Sequence, residues 1–330
     1  MRRWLMLRWL ALVACLPLTG CFNGILLKPT NVSEPVEETV VTDAQHCLCR
    51  DKVAIIDVCG MIMNARASGI FGDGDNPVSL FRERLDAAAD DPRVKAVILR
   101  INSPGGAVTA SDIMYRDLVC FRQKTGKPVV ACMMDVAASG AYYLAMGSDV
   151  VYAHPTTVTG SIGVIMSLYN AAGLAAKIGV ASNPIKSGPI KDVGNPLREM
   201  TDEERAVLQG LVDNFYDQFV QIVSKGRHMP EDRVRLLADG RVYAGTQAKA
   251  LGLVDEIGYL EDAIQCAKSL AHLRDAAIVA YERGGGYKGS IYAGMMPQIP
   301  SNINVHLDVP GLTGGKGAAF MYVWEPGIIH

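Results

Sequence analysis

Ser139 stands in the run Ala137-Ala138-Ser139-Gly140-Ala141-Tyr142-Tyr143, directly behind the apolar stretch Val129 to Met134. A serine among small residues at a strand end can sit on a tight turn, its oxygen exposed and the next amide beside it. Acyl transfer by a serine nucleophile needs that arrangement. The same pattern also suits a closely packed helix start with the serine as its N-cap, and the local residues leave both readings open. A second small-residue loop, Ser103-Pro104-Gly105-Gly106, follows the apolar stretch VKAVILRI. Its glycines allow close backbone approach, and amides at such a turn suit a developing oxyanion. A purely structural strand-to-helix turn accounts for this loop equally well.

A serine nucleophile requires a base. His154 is the single histidine between residues 47 and 227, and although Asp149 is near it in the chain, no motif ties the pair to Ser139. Lysine is the other choice, and Lys186 and Lys191 share the segment PIKSGPIKDV. A lysine acts as base only if desolvation lowers its pKa by several units from ~10.4, at about 1.4 kcal/mol per unit. Asp192 would oppose this at Lys191 if both side chains faced the same way. Neighbours in extended chain face opposite ways, so the objection does not exclude Lys191. The residues alone do not choose between the two lysines, and each also fits a solvated surface charge. No nucleotide-binding G-x-x-x-x-G-K-[ST], no H-E-x-x-H and no G-x-S-x-G is present. Cys47 and Cys49 lack the second pair that zinc sites use. The chemistry is therefore expected to need no metal and no cofactor.

The elements around these loops alternate. Val53 to Val58 reads as a strand, Val78 to Ala89 as a helix ended by Asp91-Pro92, and Val94 to Ile101 as the next strand. A helix from Val108 to Lys124 leads through Lys127-Pro128 into the strand that precedes Ser139. Continuous apolar strands separated by helices predict an α/β fold whose parallel sheet is covered on both faces. The second half is more helical. Thr201-Asp202-Glu203-Glu204 forms a capping box, and Leu208, Leu211, Val212, Phe215, Phe219, Ile222 and Val223 follow at helical spacing, a stripe for the core or a subunit interface. Pro230 opens a further helix, Gly252 caps one, and Glu261 to Leu273 forms the last. Beyond Tyr281 the chain is rich in Gly and Pro until an apolar, strand-like stretch from Ala318 to Trp324.

The formal net charge of the 330 residues is -2, with no basic cluster after residue 50, so nucleic acid is not an expected partner. Arg2, Arg3 and Arg8 precede an apolar run from Trp9 to Leu18. That run is too short to span a ~30 Å hydrocarbon core and fits an export signal. It ends in Leu18-Thr19-Gly20-Cys21, which resembles the lipobox of bacterial lipoproteins. The expected organisation is a signal peptide over 1–20, a lipid-anchored tether over 21–50, a catalytic domain over 51–282 and a Gly/Pro-rich tail over 283–330. Cys21 carries the lipid in this reading, because two or more acyl chains anchor a protein firmly. The expected location is the bacterial cell envelope, facing the extracytoplasmic side.

Taken together, SPGG, ASGAYYLA, TGSIGV, KSGPIKD followed by NPLREMTDEE, and DGRVYAG resemble the signal peptide peptidase A family of Ser-Lys serine proteases. The resemblance runs collinearly from Val53 to Tyr281, is nearest the short single-domain form, and extends to the terminal MYVWEP. It implies a ClpP/crotonase-like core, Ser139 as nucleophile, Lys191 rather than Lys186 as general base, and Ser161 as the hydroxyl that orients the lysine. It also implies oxyanion donors at Gly106 and Gly140, peptide substrates, and a homo-oligomeric ring or dome whose sites are shared between subunits. Where the family often reads ASGG, this chain has Ala141. Two other classes compete with a protease. One is a crotonase-like acyl-CoA enzyme, against which export from the cytoplasm argues. The other is an inactive ring-forming scaffold, against which the complete Ser139, Ser161 and Lys191 set argues.

Overall fold

The computed structural model describes residues 35–45, 50–65, 68–69, 72–73, 75–283, 290–292 and 320–324. The signal segment, Cys21, Cys47, Cys49 and most of the tail lie outside them. The strands are β1 (Glu37–Thr42), β2 (Lys52–Cys59), β3 (Ser68–Gly69), β4 (Gly72–Asp73), β5 (Val94–Ser103), β6 (Gly105–Ala107), β7 (Val129–Ala138), β8 (Val150–Ala153), β9 (Val158–Gly160), β10 (Val242–Ala244), β11 (Glu256–Ile257), β12 (Ala277–Glu282) and β13 (Met321–Val323). The helices are α1 (Pro77–Asp90), α2 (Val108–Thr125), α3 (Gly140–Ala145), α4 (Ala172–Lys177), α5 (Asp202–Arg227), α6 (Glu231–Leu237), α7 (Gly245–Leu251) and α8 (Leu260–Leu270).

The main sheet runs β1-β12-β2-β5-β7-β8-β11, and β9 pairs with both β7 and β10. From β12 to β11 every neighbouring pair is parallel, as is β7 with β9. Among the described residues, only the β1–β12 and β9–β10 pairs in this sheet are antiparallel. Successive side chains of a strand face opposite ways. On β2, Ala54, Ile56 and Val58 therefore join the core under α1 and α2, while Val53 and Ile55 pack with Leu260, Ala263, Ile264 and Ala267 of α8. Each Ile or Val buried in this way contributes about 1.5–3 kcal/mol. A sheet covered on both faces was the expectation from continuous apolar runs, and the α/β fold is observed.

Helix ends follow their local residues. Asn76 caps α1 by accepting from the amides of Val78 and Ser79, and Gly126 closes α2 at φ 67°. The capping box Thr201–Glu204 opens α5 and Gly252 closes α7, as their sequence signatures predicted.

One boundary needs correction. β1 lies inside the segment assigned to the tether and pairs antiparallel with β12. The physical cause is Lys52, 6% exposed, whose ammonium donates to Glu38 of β1 at 2.6 Å and to Asp91 at 2.9 Å. A buried ammonium needs such carboxylates, and the open edge of β12 needs ladder partners. The ordered sheet thus begins at Glu37.

Candidate active site

Ser139 and Ser161 are brought together by strand register. β7 pairs in parallel with β9, Ala138 opposite Gly160, so the two serines follow adjacent strand ends, where neighbouring strands run about 4.8 Å apart. The Ser139 amide donates to the Gly160 carbonyl at 2.8 Å, and the Ser161 amide to Arg241 at 2.8 Å. Both serines hold positive φ, 52° and 48°. Ser139 combines its φ with ψ -115°, a backbone state that costs a non-glycine residue about 1–3 kcal/mol. It precedes α3 but makes no capping bond, so the cap alternative is not realised. Its Oγ is buried, with no hydrogen-bond partner among the described residues. Such strain and such an orphaned hydroxyl do nothing for stability.

Asn102 lies at a register shift beside this strand end. The β5–β7 register shifts between Ile101 and Ser103. The Asn102 side chain fills the gap, accepting from the Val136 amide at 3.1 Å and donating to Asp135 at 3.3 Å. The chain then enters the Gly105-Gly106 loop, where Ser103 Oγ accepts from the Gly105 amide at 3.1 Å. A Cβ on Gly106 would stand 1.9 Å from the Ile62 carbonyl oxygen. One on Gly105, already at φ 101°, would stand 2.7 Å from the Gly140 nitrogen. One on Gly140 would stand 2.3 Å from Ser111 Oγ and 3.2 Å from the Gly106 nitrogen. The two glycine amides therefore share one small space that no side chain could enter. Ala141, where the motif departs from its usual form, points into the core with no exposed surface.

That space is occupied by the chain's own C-terminal strand. β13 pairs antiparallel with β6, Tyr322 opposite Gly106. The Val108 amide donates to Phe320, and the Trp324 amide to Pro104 at 2.9 Å. Hydrogen-bonded pairs alternate along an antiparallel ladder, so the Gly106 amide faces the Tyr322 carbonyl. A Cβ on Gly140 would stand 3.1 Å from that same oxygen. On its other side the strand is held by Ile165, which exchanges bonds of 3.0 and 2.9 Å with Met321. A cleft of about 510 Å³ continues past Val323 and Trp324, lined also by Ser161, Ile165, Val212 and Tyr216.

Lys191 is not part of this cluster within one chain. It is exposed, and among the described residues its ammonium has no hydrogen bond or ion pair. Its neighbour Asp192 is held by Arg198 at 2.9 and 2.8 Å and by Lys186, and these hydrogen bonds keep the Asp192 carboxyl well below the usual carboxylate range. Arg198 also bonds Glu204, the N3 residue of the α5 capping box, whose carboxyl is lowered to about 2 by Arg198 first and by the Thr201 amide second. The loop bearing Lys191 is thus clamped to the start of α5. Asp192 is thus engaged by Arg198 and Lys186.

Sequence reasoning passed over Arg198, Ser111 and Tyr322. Arg198 carries a signal, six residues from both Asp192 and Glu204, but only a folded-back loop reveals it. Tyr322 lay in a stretch read as a strand with no partner assigned.

Residues 121–274 match the description Peptidase family S49. The chain is 38% identical over 250 residues to a protein of Enterococcus faecium provisionally named signal peptide peptidase SppA, covering 76% of this chain and 71% of that relative. It is 39% identical over 224 residues to a provisionally named protease of Synechocystis sp., covering 68% and 76% of the two chains. It is 34% identical over 230 residues to Protease 4 of Salmonella typhi, covering 70% of this chain and 36% of that longer protein. With the parallel sheet, this defines a serine protease of ClpP-like fold. The chain belongs to peptidase family S49.

Proposed function

We propose that this protein is a membrane-tethered endopeptidase in which Ser139 is the nucleophile and Lys191 the general base. The observation that carries the reading is Ser139 itself: strained at φ 52°, buried, without a partner at Oγ among the described residues, and followed by Gly140, where a Cβ would stand 3.2 Å from the Gly106 nitrogen. Strain of this kind concentrates at functional sites. In the proposed reaction, uncharged Lys191 Nζ takes the Ser139 proton as Oγ bonds to the peptide carbonyl carbon. The Gly106 and Gly140 amides hold the oxyanion. The C–N bond then breaks, and Lys191 returns the proton to the leaving amine. Water attacks the ester, gives a proton to Lys191, and Ser139 recovers its own as the acid product leaves.

Lys191 is exposed and has no partner among the described residues, which supports a ring or dome in which it serves Ser139 of a neighbouring copy. Cys21 supplies the lipid anchor in this reading, and the extracytoplasmic face of a bacterial membrane supplies the substrates. Remnant signal peptides and misfolded membrane polypeptides are the proposed substrate class, in keeping with the name of the Enterococcus faecium relative. A serine-reactive fluorophosphonate should label the chain, and Ser139→Ala should abolish the label. Equal labelling of Ser139→Ala would refute this assignment. Membrane fractionation of Cys21→Ser checks the anchor, and fractionation identical to the unaltered chain would count against it.

A further inference from the structure

Three successive peptide planes lead from β7 through Ser139 into α3, and each is held by a hydrogen bond. A peptide unit is planar, so a bond to its carbonyl or its amide sets the direction of both. The plane joining Ser139 to Gly140 carries the Gly140 amide, and its carbonyl accepts from the Tyr143 amide at 2.8 Å. The plane before it is set by the Ser139 amide, which donates to the Gly160 carbonyl at 2.8 Å. The plane joining Ala137 to Ala138 lies in the β7–β9 ladder, and its carbonyl also accepts from Thr159 Oγ1 at 2.7 Å.

Two of these bonds join backbone to backbone. The third comes from a side chain, and Thr159 is fully buried. Met133 Sδ lies 3.5 Å from the same hydroxyl, but thioether sulfur is a weak acceptor, so the hydroxyl hydrogen belongs to Ala137. Thr157 makes a similar contact farther from the serine. Its hydroxyl, also fully buried, lies 2.6 Å from the Met134 carbonyl and 3.0 Å from that of Met133. A serine at φ 52° and ψ -115° keeps that state only where its surroundings over-determine it. Thr159 supplies the side-chain part of that constraint, two residues ahead of the nucleophile.

We propose that Thr159 is a positioning residue for the protease reaction. Its hydroxyl fixes the last strand plane ahead of Ser139, and with it the aim of Ser139 Oγ and of the Gly140 amide. The inference rests on the Ser139 reading above. Thr159 acts through Ala137 and not on the substrate, so its effect falls on the chemical step rather than on binding. Misplacing a reacting group by about 1 Å costs about 10²-fold in rate. The ladder around Ala137 survives loss of the hydroxyl and keeps the loss below that limit.

The test uses the full chain and Thr159→Val, which exchanges the hydroxyl for a methyl. The rate of fluorophosphonate labelling and kcat for a peptide should each fall about tenfold, with KM unchanged. Thr159→Ser keeps the hydroxyl and should recover most of that rate. Thr157→Val is the comparison for a purely structural loss, and it should lower Tm while leaving the labelling rate near that of the unaltered chain. If Thr159→Val does not fold, Thr159→Cys, a weaker donor, takes its place with the same expected direction. An unaltered labelling rate, a rise in KM at constant kcat, or Thr159→Ser no faster than Thr159→Val overturns the inference. Equal rate losses in Thr157→Val and Thr159→Val also overturn it, because any lost hydroxyl in this strand pair would then suffice. A parallel Ser139→Ala sample separates the two failures. If it is labelled as strongly as the unaltered chain, the Ser139 reading fails and Thr159 with it. If it is unlabelled while Thr159→Val reacts at the full rate, the Thr159 inference fails alone.

Discussion

A Cβ placed on Gly105 would stand 2.1 Å from the carbonyl oxygen of Tyr322. The terminal strand pairs with the glycine segment through its backbone, and the contact lies where the proposed oxyanion donors meet. Glycine at 105 is required twice, by this approach and by a φ of 101°. Gly105→Ala should therefore lose about 10²–10³ in kcat, the range for one lost oxyanion donor. Peptide hydrolysis compared with thermal unfolding checks this, and an unchanged kcat would sink the placement of the donors.

Ser139 holds a conformation that glycine tolerates, and its Oγ bonds to nothing in the described structure. Ser139→Gly should abolish labelling and hydrolysis while raising stability by about 1 kcal/mol, the lower range for relief of such strain. Thermal melts of the two proteins decide. A destabilised variant would mean that the serine contributes to packing.

In the proposed reaction the Tyr322 carbonyl must leave its place before a substrate carbonyl can enter. Removing the ring that anchors it, by Tyr322→Ala, should raise kcat/KM for a peptide substrate about tenfold, because the groove is then more often free. Initial rates at low substrate reveal the change. A fall in rate with a large drop in Tm would instead make the strand a wall of the site.

If Lys191 serves a neighbouring copy, Ser139→Ala and Lys191→Ala proteins are each inactive alone but complementary. Mixing them under conditions that exchange subunits should restore peptide hydrolysis to a measurable fraction of the unaltered protein. Lys186→Ala, whose lysine is engaged with Asp192, should retain far more activity than Lys191→Ala. The reverse ranking, or mixtures that stay dead, would contradict the assignment.

The Arg198 clamp has a pH signature. The Glu204 carboxyl is lowered from 4.5 to about 2 in the folded protein, and Asp192 is lowered too. Groups lowered on folding contribute stability that is fully present above their unfolded values and lost as pH falls through the folded ones. The Tm should thus decline as pH is taken from about 5 toward 2, and Arg198→Gln should flatten that part of the profile. A decline of the same size in Arg198→Gln would locate the acid sensitivity elsewhere.

Much of this protein is legible in its residue types. The apolar runs around Ile55, Leu99 and Val130 read as strands covered on both faces. Thr201 with Glu204, and Gly252, marked helix ends, because caps are decided by one turn of chain. The small residues around Ser139 and Gly106 marked loops where backbone must come close. Local residue types constrain local dihedral angles, so these features could be read one segment at a time.

What only the tertiary structure decided is which of those segments meet. Nothing in the run around Ser139 says that Ala138 pairs with Gly160, which sets Ser139 beside Ser161. Nothing in MYVWEP says that Tyr322 faces Gly106 rather than solvent, or that its ring enters a box made by Tyr143 and Phe219. Strand register and long-range pairing depend on the total fit of surfaces distant in the chain. A slip of one residue would reverse every side chain, and no single segment carries that information. The chemistry was written in residue types, and the groove, its occupant and its aromatic pocket came from how the strands align.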